Sequence, residues 1–386
     1  MTSHVDDVVR WLAERGNAMQ DEIAQLVAIN SFTEHVEGGR EVGRRLLSET
    51  FAIDGLAQSV VPSVRYADHL VLSSAGDASC APLALIGHLD TVFPPGTFEG
   101  FKRDGELARG PGVLDMKGGL VVVACALRAI ASVCGLGAVA PIRLVIVADE
   151  EVGSPEGAGV IREAIRGATG ALVFEAGRKG DLIITRRKGT GAVKAVATGK
   201  AAHAGANHQD GANAIWSLAR FIDKAQSLTD YGRGVTVNVG RIEGGTSKNT
   251  VPDRASCDID IRFETTADGE ALVAQLRQAA SDMCLQNTNI AISGGVARQP
   301  LERTEASAGL MRSYAACAKA SGLGDAEAGL IGGGSDASTS SGIGIASIDG
   351  LGPRGSGFHT HAELIEIASL VPKAQALARF ILAYAK

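Results

Sequence analysis

The sequence predicts an α/β protein: a mixed, mostly parallel sheet covered by helices, with a ferredoxin-like α+β domain inserted into it. Three observations carry this reading. Short apolar runs at 83–87, 142–148 and 171–174 alternate with helical segments, the order that builds a parallel sheet buried on both faces. Each run ends at residues able to bind a ligand, as expected of open α/β sheets, which place their sites at the carboxyl ends of the strands. Between 188 and 299 the pattern changes to β-α-β-β-α-β, the split ferredoxin-like motif. The domains follow as 1–187 with 300–386, and 188–299 inserted between them.

Taken in order, residues 4–30 read as one or two amphipathic helices and 42–51 as another. The strand at 83–87 runs into Gly87-His88-Leu89-Asp90-Thr91. After a Pro- and Gly-rich loop comes Gly110-Pro111-Gly112-Val113-Leu114-Asp115-Met116-Lys117-Gly118-Gly119, then an apolar helix over 120–133. The strand at 142–148 stops at Asp149-Glu150-Glu151, a helix covers 157–166, and the strand at 171–174 ends at Glu175. In the inserted domain, 191–198, 235–242, 257–263 and 289–293 read as strands, and 211–228 and 269–285 as helices. The chain then returns through a helix at 307–321, a strand near 329–331, the loop Gly332-Gly333-Gly334-Ser335-Asp336, and a last helix over 364–384.

Composition narrows the function. With 45% hydrophobic and 21% charged residues the chain is an ordinary globular protein, and at 386 residues it can bury two cores. A net charge of -6 without a basic block argues against a nucleic-acid surface. No apolar run approaches the roughly 20 residues of a membrane span, and the first 20 residues have no secretory apolar core. Six scattered cysteines without a C-x-x-C pair read as free thiols in a reducing compartment, the cytoplasm. His4, His69 and His208 lack a partner motif and read as surface residues. Ser335 and Ser338 lie in no G-x-S-x-G elbow, and the glycine loops lack nucleotide-binding context.

The chemistry is carried by convergence. Three adjacent carboxylates repel one another unless a cation is near, although a solvated acidic loop would also tolerate them. His88 with Asp90, Asp115, Glu150 with Glu151, Glu175, and Gly357-Phe358-His359-Thr360-His361-Ala362-Glu363 are five loops that one sheet delivers to one rim. Burying so many carboxylates calls for counter-charge, which two divalent ions supply. Imidazole and carboxylate without thiolate suit a catalytic centre with zinc, or cobalt or manganese.

These motifs resemble those of the dinuclear-zinc M20 metallopeptidase family, glutamate carboxypeptidases in particular, along the whole chain and in order. The resemblance implies a zinc-exopeptidase-like catalytic domain. His88 and Glu175 would hold one ion, Glu151 and His359 the other, and Asp115 would bridge them. Asp90 would orient His88, and Glu150 would be the general base. His361 is the rival of His359. The resemblance also implies a cis peptide after Asp115.

For the inserted domain the resemblance implies dimerisation. Gly199-Lys200-Ala201-Ala202-His203-Ala204-Gly205 is similar to a family turn whose histidine reaches the partner's site and steadies an oxyanion. Asn249 and Arg262, with Arg298 as a further candidate, match positions that grip a substrate carboxylate in glutamate carboxypeptidases; the Gly333-Gly334 backbone would clamp nearby. The expected activity is hydrolysis of an amide bond that releases a C-terminal amino acid, glutamate first, from a small peptidyl or N-acyl substrate by a homodimer. Deacylation of an N-acyl amino acid, of the acetylornithine deacetylase or succinyl-diaminopimelate desuccinylase type, is the alternative. A binding protein that kept the fold without the chemistry is a third reading, opposed by the complete ligand set.

Overall fold

The computed structural model describes residues 2–384. The chain forms two compact units: one runs to Arg186 and resumes over Arg303–Leu330 and from Ser335 onward, and the other comprises Arg187–Glu302 with Ile331–Gly334.

The first unit is built on a six-stranded sheet in the order Ala57–Val61, His69–Ser73, Ile142–Val147, Leu83–His88, Gly170–Val173, Ala346–Ile348. The last four strands are mutually parallel and the first two antiparallel, a mixed sheet. Leu83–His88 and Gly170–Val173 are buried at every position, which is why they read as unbroken apolar runs rather than alternating ones. Helix Lys117–Val133 is buried over most of its length, all round rather than along one stripe. Register fixes the rim: His88 lies opposite Val147, and Ile86 opposite Val173. The residues that follow these strand ends therefore emerge side by side.

A smaller antiparallel sheet, Gly355–Ser356, Leu364–Glu366, Leu107–Arg109 and Lys102–Asp104, pairs Leu364 with Arg109. It carries the 357–363 turn alongside the Asp115 loop. Here the structure differs from the expected last helix, which begins at Leu370 instead of 364. Pro372 accounts for the start: proline is tolerated in a helix's first turn and breaks an interior. Near the N-terminus, helices Thr2–Ala13 and Gly16–Val27 are separate, and helix Val36–Arg45 continues into a π-helical turn, Leu46–Thr50.

The second unit has an antiparallel sheet ordered Thr236–Gly244, Arg254–Phe263, Gly189–Thr198, Asn289–Arg298. Strict alternation along Arg254–Phe263 turns Ala255, Cys257, Ile259, Ile261 and Phe263 into a core with helices Ala214–Gln226 and Thr266–Asp282. Asn213 caps the first helix by accepting from Trp216 N at 2.8 Å, and Thr265 caps the second from Asp268 N at 3.1 Å. The Ile331–Gly334 loop belongs with this unit, not with the first. Lys188 N donates to Ile331 O at 2.8 Å and Arg187 Nη1 to Gly333 O at 3.1 Å, so the expected strand near 329–331 reduces to one bridge at Ile331.

Candidate metal centre

Two half-sites share one carboxylate. Asp115 Oδ1 lies 3.3 Å from His88 Nε2, while its Oδ2 lies 3.4 Å from His359 Nε2. On the first side Glu175 Oε1 is 3.7 Å from His88 Nε2; on the other Glu151 Oε2 is 3.1 Å from His359 Nε2. Ligand atoms of His88, Asp115 and Glu151 fall within 4.8 Å of one another, as do those of His88, Glu150 and Glu175. The structure thus brings together all five residues expected to ligate, with Glu150 beside them. His361 is directed elsewhere: its ring stacks on Phe98, with centroids 5.6 Å apart. His359 stands at φ 61, and the Asp115–Met116 peptide is cis.

The protonation pattern describes a site built for cations. Burial alone would lower the His88 pKa, but Glu175, Asp115 and Asp90 hold it well above the ordinary imidazole value. Asp115 and Glu151 hold His359 at about 10. Burial opposes ionisation of Asp115, yet His359 and His88 keep its carboxyl well below the usual range. Glu151 is pushed up to about 7 by burial and the Asp115 charge; Glu175 is raised by the same two causes. The imidazoles hold protons where they face the carboxylates, positions that divalent ions take by displacing protons. Two imidazoles and three carboxylates, four of them largely buried and none a thiolate, fit a pair of such ions.

The loops are held from behind. Asp90 accepts from the backbone N–H groups of Glu150 and Glu151, each at 3.2 Å, and from Thr33 Oγ1 at 2.8 Å. His88 Nδ1 lies 3.0 Å from the Asp90 carbonyl and 3.3 Å from its carboxylate. One residue therefore orients the imidazole and fixes the paired glutamates. Ser31 donates to Leu89 O at 2.7 Å, anchoring the same turn. Lys117, buried and lowered to about 7, donates to Leu26 O and Ile29 O at 3.0 and 2.9 Å. Glu363, fully buried and pushed up to about 7 by that burial, accepts three backbone N–H groups of the Asp115 loop.

Two readings of the sequence are corrected here. Asp149, first of the acidic triplet, does not need a metal for its charge: it accepts from Glu156 N at 2.7 Å and Gly157 N at 3.0 Å at the start of helix Gly157–Ala164. His69 is not a surface residue. It is 1% exposed, and its Nδ1 accepts from Ala148 N at 3.2 Å, bracing the strand that leads to Glu150.

In the second unit His203 and Asn249 adjoin, because Ala202–His203 pairs with Thr250–Val251. His203 Nδ1 accepts from Gly205 N and Ala206 N at 3.1 and 3.0 Å, so in the neutral ring Nε2 carries the proton. Arg262 gives its fork to Asp260 through two bonds of 2.8 Å. Arg298 packs on Gly334, where a Cβ would stand 2.6 Å from its Cδ; only glycine leaves that space.

A two-unit architecture of this kind, with imidazoles and carboxylates gathered at the rim of a parallel sheet, defines the class of metal-dependent peptidases and amidohydrolases. Residues 185–288 match the peptidase dimerisation domain of the M20 family. The chain is 28% identical over 306 residues to carboxypeptidase G2 of Pseudomonas sp. strain RS-16, spanning 78% of this chain and 73% of that one. Its fold is that of the aminopeptidase PepT from Bacillus cereus ATCC 10987, with a TM-score of 0.81 at 23% identity over 96% of this chain and 99% of the other. It is also that of Bacillus subtilis YXEP, a dinuclear metal-binding peptidase of the M20 family, with a TM-score of 0.70 at 16% identity over 96% and 98%. The chain belongs to the M20 family of metallopeptidases and amidohydrolases.

Proposed function

We propose that the protein hydrolyses the amide bond preceding a C-terminal amino acid with a free α-carboxylate, glutamate foremost. The observation that carries this is Asp115, whose two oxygens face two imidazole–carboxylate half-sites. Bound divalent ions, zinc first and cobalt or manganese as alternatives, would supply Lewis acidity and acidify a water molecule. His88 and Glu175 would hold one ion and Glu151 and His359 the other. Glu150, its backbone fixed by Asp90, would take a proton from the attacking water and return it to the leaving amine. His203, as an Nε2–H donor, would steady the oxyanion. Asn249, Arg262, Arg298 and the Gly333-Gly334 backbone would grip the substrate carboxylate, arginine for its bidentate fork. The similarity to carboxypeptidase G2 supports glutamate as the residue released.

The dimerisation-domain match supports a homodimer, and the edge strand Thr236–Gly244 with exposed Ile242, Ile215 and Trp216 is the surface we assign to it. All six cysteines are free thiols, which supports a cytoplasmic protein. Among the described residues no helix is long and apolar enough to cross a membrane. The reading is tested by stripping the protein with a chelator, restoring zinc or cobalt, and assaying N-acyl and peptidyl amino acids with varied C-terminal residues. Ion-dependent release, fastest for glutamate, is expected. Turnover of substrates with an amidated C-terminus at the same rate would overturn it.

A further inference from the structure

We propose that Glu363 is a positioning residue of the metal centre: its carboxylate fixes the backbone from which Asp115 projects and locks that loop to the turn bearing His359. The inference rests on the reading that these residues hold divalent ions. It starts from a geometry that neither a ligand nor a solvent-facing acid would need. Glu363 Oε1 accepts from Leu114 N at 2.8 Å and from Asp115 N at 3.0 Å, and Oε2 accepts from Gly112 N at 3.2 Å. The side chain is 0% exposed, so these three N–H groups have no solvent to turn to if it is removed.

The position of Glu363 in the chain gives the arrangement its consequence. It stands four residues after His359 and immediately before strand Leu364–Glu366, whose pairing with Leu107–Arg109 brings it to the Asp115 loop. Its own N–H donates to Thr360 O at 3.1 Å, closing the turn behind His359. One residue therefore ties together the carrier of the shared carboxylate and the carrier of one imidazole. Lys117 tethers the far end of the same loop to Leu26 and Ile29, and cannot take over the work of Glu363 because its amine is committed there. Without Glu363 the Asp115 backbone gains freedom at the place where both half-sites depend on it. Supporting groups of this kind typically alter metal affinity or activity by about 10–100-fold.

Zinc titration calorimetry on the chelator-stripped full chain tests this, with visible absorption of the cobalt-loaded protein as a second readout. Wild type is expected to take up two ions. Glu363→Ala should bind them about 10–100-fold more weakly, with an altered cobalt spectrum and a fall in kcat rather than a rise in KM. Glu363→Gln should lie between. Its amide oxygen still accepts from Leu114 and Asp115, while its NH2 opposes the N–H of Gly112. Should Glu363→Ala fail to fold, Glu363→Gln carries the test. A purely structural role would lower the unfolding temperature and leave ion affinity and spectrum unchanged in the folded variants. That result, with wild type binding two ions, would overturn the role of Glu363 alone. Wild type that binds no ion would overturn the metal reading together with it.

Discussion

Three consecutive acids at the end of one strand do three different things. Asp149 faces backward onto the start of a helix and is fully buried with two N–H partners. Glu150 and Glu151 face forward, their amides held by Asp90. Asp149→Ala is expected to cost about 1–3 kcal/mol of stability, the range for a lost cap that leaves buried donors unpaired. Thermal unfolding would show this, and an unchanged unfolding temperature would contradict it. Glu150→Gln is expected to keep both ions by calorimetry while kcat falls by a factor on the order of 10²–10⁴. Normal turnover from that variant would remove Glu150 from the role of base. The ligand residues were readable in the sequence because each follows a strand or tight turn in a spaced motif. Asp149 was not, because consecutive acids look alike until their directions are known. His69 was hidden for a related reason: in His69-Leu70-Val71-Leu72-Ser73 a terminal polar residue looks solvated, and its acceptor bond to Ala148 N comes from a segment 79 residues away. Lys117 and Glu363 stood inside quoted motifs, but a backbone partner leaves no trace in side-chain identity.

The elements divide along the same line. Strands buried on both faces announce themselves by continuous apolar runs, and the parallel centre of the first sheet was legible for that reason. Ala57–Val61 and Lys102–Asp104 were not, since exposed edge strands carry mostly polar or solvated side chains and owe their form to pairing partners. Helix Lys117–Val133 shows what full burial does to chemistry as well as to pattern. Its Cys125 is 3% exposed, and burial pushes the thiol up to about 11 from an ordinary value near 9. In the unfolded chain the thiol ionises first, so stability is intact below about pH 9 and is lost as pH rises towards 11. Linkage puts the loss at about 2–3 kcal/mol. Denaturant titrations of wild type and Cys125→Ala across pH 8–11 check this, the variant being expected to show the shallower decline. Equal slopes would mean that another group dominates alkaline unfolding.

At the scale of the molecule, the change of pattern after Arg186 marked the second unit from sequence alone, whereas the return of Ile331–Gly334 to it depends on pairing with Arg187 and Lys188, more than 140 residues earlier. That unit leaves the strand Thr236–Gly244 at a sheet edge, exposed at most positions from Gly240 onward, with Ile242 56% and Trp216 61% exposed. An edge with unpaired backbone groups and apolar neighbours invites a second strand, and in a protein that remains monomeric it would be a liability. Placing a charge there should decide between these. Ile242→Lys is expected to shift the protein from dimer to monomer by sedimentation equilibrium, because a pair related by two-fold symmetry would bring two like charges to one interface. If His203 serves the partner's centre, the monomer should lose kcat to the extent that His203→Ala does in the dimer, while both retain their ions. The Nε2–H that two backbone amides enforce on His203 makes it a fixed donor wherever it acts. A dilute monomer with full activity would therefore place that donor in its own subunit's site or outside the reaction, and leave the metal half-sites untouched.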